Sequence, residues 1–110
     1  MSENGRIVFL IKLKPGMSEE FLEAYEGIRH EVAEGVKGHI VDQVCQSRDD
    51  EDQWLITSEW ESVDDFLAWE ETEEHRDQAK PLRDCFAEAR SYKFVVRRET
   101  HNPGRAGDGA

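Results

Sequence analysis

The segment Arg6–Leu13, RIVFLIKL, carries apolar side chains on both parities, with Ile7, Phe9, Ile11 and Leu13 on one and Val8 and Leu10 on the other. Successive side chains of a strand point to opposite faces, so a strand of this kind has to be covered on both. It belongs in the middle of a sheet, and it constrains every element after it. Lys14-Pro15-Gly16 ends it with turn residues. Beyond the turn, Phe21, Tyr25, Ile28 and Val32 recur at helical spacing. They predict an amphipathic helix of about four turns, closed by Gly35 and Gly38.

Ile40–Ser47 and Trp54–Trp60, separated by the acidic turn RDDEDQ, read as a β-hairpin. In its second strand Trp54, Ile56, Ser58 and Trp60 share one face, and Leu55, Thr57 and Glu59 the other. Ser62 followed three residues later by Asp65 is a helix start signal. Phe66 and Trp69 then lie on one face, and His75, Ala79, Leu82 and Phe86 form a second stripe. Pro81 interrupts that stripe and predicts a kink or two abutting helices. Tyr92–Arg97, YKFVVR, closes the chain as a strand with Tyr92, Phe94 and Val96 on one side. The order β-α-β-β-α-β is the ferredoxin-like split βαβ arrangement of the α+β class, with an antiparallel sheet.

Two helical segments cover only one face of such a sheet. The other face, judged from Val8, Leu10 and Val95, is apolar enough to mark an interface. The expected partner is a second copy packed sheet to sheet about a two-fold axis, a homodimer. Residues 1–98 read as one domain and residues 99–110, rich in Gly and polar residues, as a flexible tail.

The formal net charge is −11, and the acids gather in Arg48–Gln53 and Glu59–Asp77. Such a charge repels phosphate backbones and anionic lipid, so neither nucleic acid nor membrane is an expected partner. The apolar run Ile7–Ile11 is too short for a signal peptide or a membrane span, and a cytoplasmic location is expected. Cys45 and Cys85 stand far apart without a metal-ligand spacing, so no metal site and no disulfide is expected.

The passage Ser58–Trp69, SEWESVDDFLAW, is followed by EEH, an amphipathic helix and a closing strand. It resembles the antibiotic biosynthesis monooxygenase (ABM) superfamily of dimeric α+β barrels, and within it the small actinomycete enzymes that oxidise aromatic polyketides. The resemblance spans roughly residues 6–97. It implies a cofactor-independent monooxygenase that uses O2 to oxidise a phenol or anthrone, the deprotonated substrate supplying the electrons. In those oxygenases a Trp ends the third strand, and Trp60 stands there. An Asn four residues earlier corresponds to Ile56, a Tyr six residues later to Phe66, and an Arg of the following helix to Lys80. Heme-degrading relatives place an Asn, a Trp and a His where this chain has Phe9, Trp69 and Ala79.

An imidazole on the apolar face of its helix makes His75 the candidate acid or base. Trp60, His75 and Lys80 are thus the expected catalytic residues, and Phe9, Trp54, Ile56, Ser58, Phe66 and Trp69 the expected lining of an apolar, aromatic pocket. His30 and His39 read as surface residues. Two other readings remain open: a ligand-binding or accessory protein without turnover, because Ile56 and Phe66 lack polar groups, and a relative that borrows reduced flavin or heme from outside.

Overall fold

The computed structural model describes residues 3–104. Residues 1, 2 and 105–110 fall outside it, as do the side chains of Glu31, Val32 and Ala33, and with them the end of the expected tail and the Val32 position of the first helical stripe. The elements are β1 (Gly5–Leu13), α1 (Ser18–Gly35), β2 (His39–Gln46), β3 (Gln53–Trp60), α2 (Val63–Glu70), α3 (Glu73–Arg83) and β4 (Phe86–Val95). The strands form one antiparallel sheet in the order β2-β3-β1-β4. The fold is α+β and ferredoxin-like, with the doubly apolar β1 inside the sheet between β3 and β4.

Local chemistry sets the ends of the helices. Gly16, at a φ of +77°, turns the chain out of β1 ahead of α1. The Ser62 hydroxyl accepts a hydrogen bond from the Asp65 amide at 3.1 Å and starts α2. The break in the second helical region lies at Glu71–Thr72 rather than at Pro81. The Thr72 hydroxyl accepts from the His75 amide at 3.1 Å and starts α3 afresh. Pro81 sits in the last turn of α3, which ends at Arg83. Phe86 is not part of the helical stripe. It opens β4 and packs against Phe9, 5.6 Å between ring centroids, and Phe21, at 6.2 Å. β4 therefore begins six residues earlier than the YKFVVR pattern suggests, because Phe86–Val95 pairs along the whole of β1.

All three helices lie on one face of the sheet. The opposite face carries Val8, Leu10, Leu55, Tyr92 and Phe94, since directly paired residues share a face and Val8 pairs with Tyr92, Leu10 with Leu55, and Arg6 with Phe94. Phe94 is 52% exposed there. Val95 pairs with Gly5 and so belongs to the helix side, which corrects its assignment to the outer face. On the helix side the buried side chains divide into two clusters. One holds Ile11, Leu13, Phe21, Tyr25, Trp54, Leu82 and Cys85. The other holds Ile7, Trp60 and Phe66, with Trp69 packed against it.

Candidate active site

Between the two clusters the helices do not close onto the sheet, and a cavity of about 200 Å³ remains. Phe9, Ile56, Ser58 and Ser91 form its floor. Trp60, Phe66, Trp69, His75 and Ala79 wall it from the β3 end and the α2–α3 side. Trp60 is 1% exposed, and its Nε1 donates to the Ser58 hydroxyl at 2.9 Å. Its ring lies 5.6 Å from that of Trp69 at 30° and 5.4 Å from that of Phe66, edge-on. His75 meets Trp69 edge-on at 4.5 Å. The indoles embedded in the acidic run thus turn inward, and the carboxylates of Asp64, Glu71, Glu73 and Glu74 remain on exposed residues.

Seven of the expected site residues come together at this cavity: Phe9, Ile56, Ser58, Trp60, Phe66, Trp69 and His75. Two do not. Trp54 has the expected face of β3 but lies at its other end, in the first cluster. There it meets Phe21 edge-on at 5.3 Å and its Nε1 donates to the Glu51 carbonyl at 2.9 Å. Lys80 follows the lining residue Ala79, and one step along a helix turns a side chain by about 100°. Its ammonium is in solvent, 3.3 Å from Asp84.

The structure also brings in residues that the strand pattern hides. The His39 side chain is 4% exposed, which corrects its reading as a surface residue. Its Nε2 lies 2.8 Å from Asp42 Oδ1. The Tyr25 hydroxyl donates to the other carboxylate oxygen, Oδ2. All three line the cavity, and His39 stands edge-on to Trp60 at 5.2 Å. In a regular strand residues three apart face opposite sides. The register shift between His39 and Val41 breaks that parity and turns His39 and Asp42 to the same face. Burial, and then the neighbouring Asp42 carboxylate, hold the Tyr25 hydroxyl far above the usual phenol range, so it stays protonated.

The two sides of the cavity differ in their hydrogen bonding. On the β2–α1 side Tyr25, Asp42 and His39 satisfy one another. On the α2–α3 side Trp69 Nε1, His75 Nδ1 and Gln78 Oε1 are buried without a hydrogen-bond partner among the described residues. A buried polar atom left unpaired costs about 1–3 kcal/mol, so these three atoms carry a cost in the folded chain. Gln78 was not anticipated from sequence, since its amide lies outside the apolar stripe of α3. Among the described residues no group of three or more His, Cys, Asp or Glu is arranged to hold a metal ion, and no helix is long and apolar enough to cross a membrane.

The family model for antibiotic biosynthesis monooxygenases matches residues 5–80. The chain belongs to this family. The ABM chain is 48% identical over 95 residues to a 42.8 kDa protein in the whiE locus of Streptomyces coelicolor, covering 86% of this chain and 24% of that protein. It is 39% identical over 99 residues to the polyketide synthase CurD of Streptomyces cyaneus, covering 90% of this chain and 26% of CurD. It thus spans about a quarter of the length of the curated relatives it matches. Among solved structures it is similar to SnoaB, a cofactor-independent oxygenase from Streptomyces nogalater, with a TM-score of 0.77 and 16% identity, covering 89% of this chain and 97% of SnoaB. That similarity establishes a shared fold.

Burial holds the pKa of the His75 imidazole below its ordinary value; the charges of Glu70 and Arg83 act in opposite directions. In the unfolded chain the ring takes up a proton near pH 6.5, and in the folded ABM domain only at lower pH. Protonation in that window therefore favours the unfolded state, and the stability gained from the neutral ring is lost as pH falls. Thermal melts from about pH 8 to about pH 5.5 are expected to show a falling midpoint, with a shallower fall in His75→Gln. Equal slopes for the two proteins contradict this account of His75.

Proposed function

We propose that the chain is a monooxygenase that oxidises an electron-rich aromatic phenol or anthrone of polyketide type with O2. The single observation that carries this reading is an apolar cavity walled by Trp60, Phe66 and Trp69, with His75 and Gln78 also among its lining residues. Flat aromatic walls suit a fused-ring ligand, and a few fixed polar groups orient it. At about 200 Å³ the space is smaller than the roughly 300–1,000 Å³ of common ligand sites, which favours a compact ring system held tightly.

The chemistry asks little of the protein beyond binding, deprotonation and shielding from water. Loss of a proton converts an anthrone to an enolate-type anion. The anion passes one electron to O2 and recombines with the resulting superoxide at carbon. The peroxide collapses to a carbonyl and water, so an anthrone plus O2 gives a quinone plus H2O. Electrons come from the substrate throughout. Membership of the ABM family and the likeness to polyketide-associated relatives support the substrate class.

Binding without turnover is the second reading. Ile56 on the cavity floor and Phe66 in its wall supply no polar group where the polyketide oxygenases have an amide and a phenol. We also read the outer face of the sheet, with Leu10, Tyr92 and Phe94 exposed on it, as the contact surface of a homodimer.

Oxygen uptake by the purified chain with 1,8-dihydroxyanthrone is expected to exceed the buffer rate. Trp60→Phe is expected to lower it about tenfold to a hundredfold through misplacement of the ring system. Tight binding with uptake no faster than buffer selects the second reading, and absence of binding rejects both. Sedimentation equilibrium is expected to give twice the chain mass, and a Phe94→Glu, Leu10→Glu variant to give the monomer mass. A monomeric parent chain refutes the dimer.

A further inference from the structure

We propose that His39 is the general base of this cavity, oriented by Asp42 and Tyr25, and that it removes the acidic hydroxyl or enol proton of the bound aromatic ligand. The inference rests on the functional reading above and assigns a residue that neither the strand pattern nor the family resemblance singles out.

An ionised carboxylate only accepts hydrogen bonds, so the contact from Asp42 Oδ1 to His39 Nε2 at 2.8 Å fixes the proton on Nε2. The neutral ring then carries its lone pair on Nδ1, and the ring's hydrogen bond among the described residues is the one at Nε2. Tyr25 donates to Asp42 Oδ2 and thereby fixes the carboxylate plane. Trp60 meets the imidazole edge-on at 5.2 Å and limits its rotation. The result is a buried base, its orienting carboxylate and a second donor holding that carboxylate, all on the cavity wall.

In the proton transfer the ligand O–H bond breaks and an Nδ1–H bond forms. The imidazolium produced sits against Asp42, which stabilises it without itself taking the proton. The electron pair stays on the ligand as phenolate or enolate, so the step needs no oxidant. The other titratable or charged side chains lining the cavity are Arg29 from α1, Glu70 from α2, and His75 and Arg83 from α3. The Arg29 guanidinium is bound by Glu26 at 2.7 Å, and Arg83 donates to the Arg76 carbonyl at 3.0 Å. Among these side chains His75 is the rival base. It has no carboxylate hydrogen-bonded to either ring nitrogen among the described residues, whereas His39 has one.

The test is anaerobic titration of the full chain with 1,8-dihydroxyanthrone, following the absorbance of the ligand anion against pH and total binding by tryptophan quenching. With the parent chain the bound ligand is expected to ionise at least about one pH unit below the free ligand. In His39→Gln this shift should vanish while the neutral ligand still binds. Asp42→Asn provides a second, isosteric variant. Its amide oxygen must serve the Tyr25 hydroxyl, so its amide N–H turns to His39 Nε2 and forces the proton onto Nδ1, removing the base. The shift should vanish there too, and persist in His75→Gln. With O2 admitted, turnover in His39→Gln should fall at least about a hundredfold. The assignment is overturned if the parent chain binds the ligand with no shift in ionisation, if both His39→Gln and Asp42→Asn keep the shift, or if His75→Gln alone abolishes it. A parent chain that does not bind the anthrone overturns the functional reading as well, which separates the two failures.

Discussion

The cavity exists because of side-chain size along β3. Its helix-facing residues are Trp54, Ile56, Ser58 and Trp60, so the two indoles stand at opposite ends with smaller side chains between them. At about 3.3 Å per residue the two Trp positions are roughly 20 Å apart. Each indole anchors its own cluster, Trp54 with Phe21 and Tyr25, and Trp60 with Ile7 and Phe66. Helices that rest on both ends cannot also descend onto the middle. Ser58 adds to this by accepting the Trp60 N–H, which holds that ring over the gap without an orphaned donor.

Periodicity located most elements and the faces of β1 and β3, but not the face of Val95 or the inward turn of His39 and Asp42. The parity of β3 and the doubly apolar β1 were both legible, as was the order of elements. The sequence pattern failed where capping or a bulge outweighs periodicity. Thr72 restarts the helix nine residues before Pro81, where the kink or junction was expected. Phe86 fits a helical stripe by spacing, yet pairing with Leu13 and packing on Phe9 draw it into the sheet. At the site, Tyr25 read as core because its helical spacing is that of a buried stripe, and nothing in one dimension shows its hydroxyl reaching β2. His39 and Asp42 were hidden by the bulge that turns both inward. Trp54 was misplaced for a different reason: face was right, but position along the strand decides which cluster an indole joins.

The polar groups at the cavity fall into two kinds with different consequences. Tyr25, Asp42 and His39 are satisfied within the protein, and such a network is rigid before any ligand arrives. Trp69, His75 and Gln78 each hold a buried polar atom without a partner among the described residues and so carry a standing cost. A fixed polar network on one side and flat aromatic walls on the other suit a planar guest held in one orientation. Where the resemblance to the polyketide oxygenases implies an amide and a phenol, this chain has Ile56 and Phe66. In the proposed scheme the polar function lies instead on the β2–α1 side, with Tyr25, Asp42 and His39.

In the proposed function a planar aromatic guest occupies the gap between the clusters, against Trp69. The three indole N–H groups are in three different situations: buried and unpaired among the described residues for Trp69, whose ring lines the cavity, bonded to Ser58 for Trp60, and bonded to the Glu51 carbonyl away from the cavity for Trp54. Proton–nitrogen correlation spectra recorded while 1,8-dihydroxyanthraquinone is added report on each of them separately. The largest shift is expected at Trp69, a smaller one at Trp60 and none at Trp54. A shift at Trp54 as large as that at Trp69, or no shift at Trp69 with the ligand bound, contradicts the proposed function.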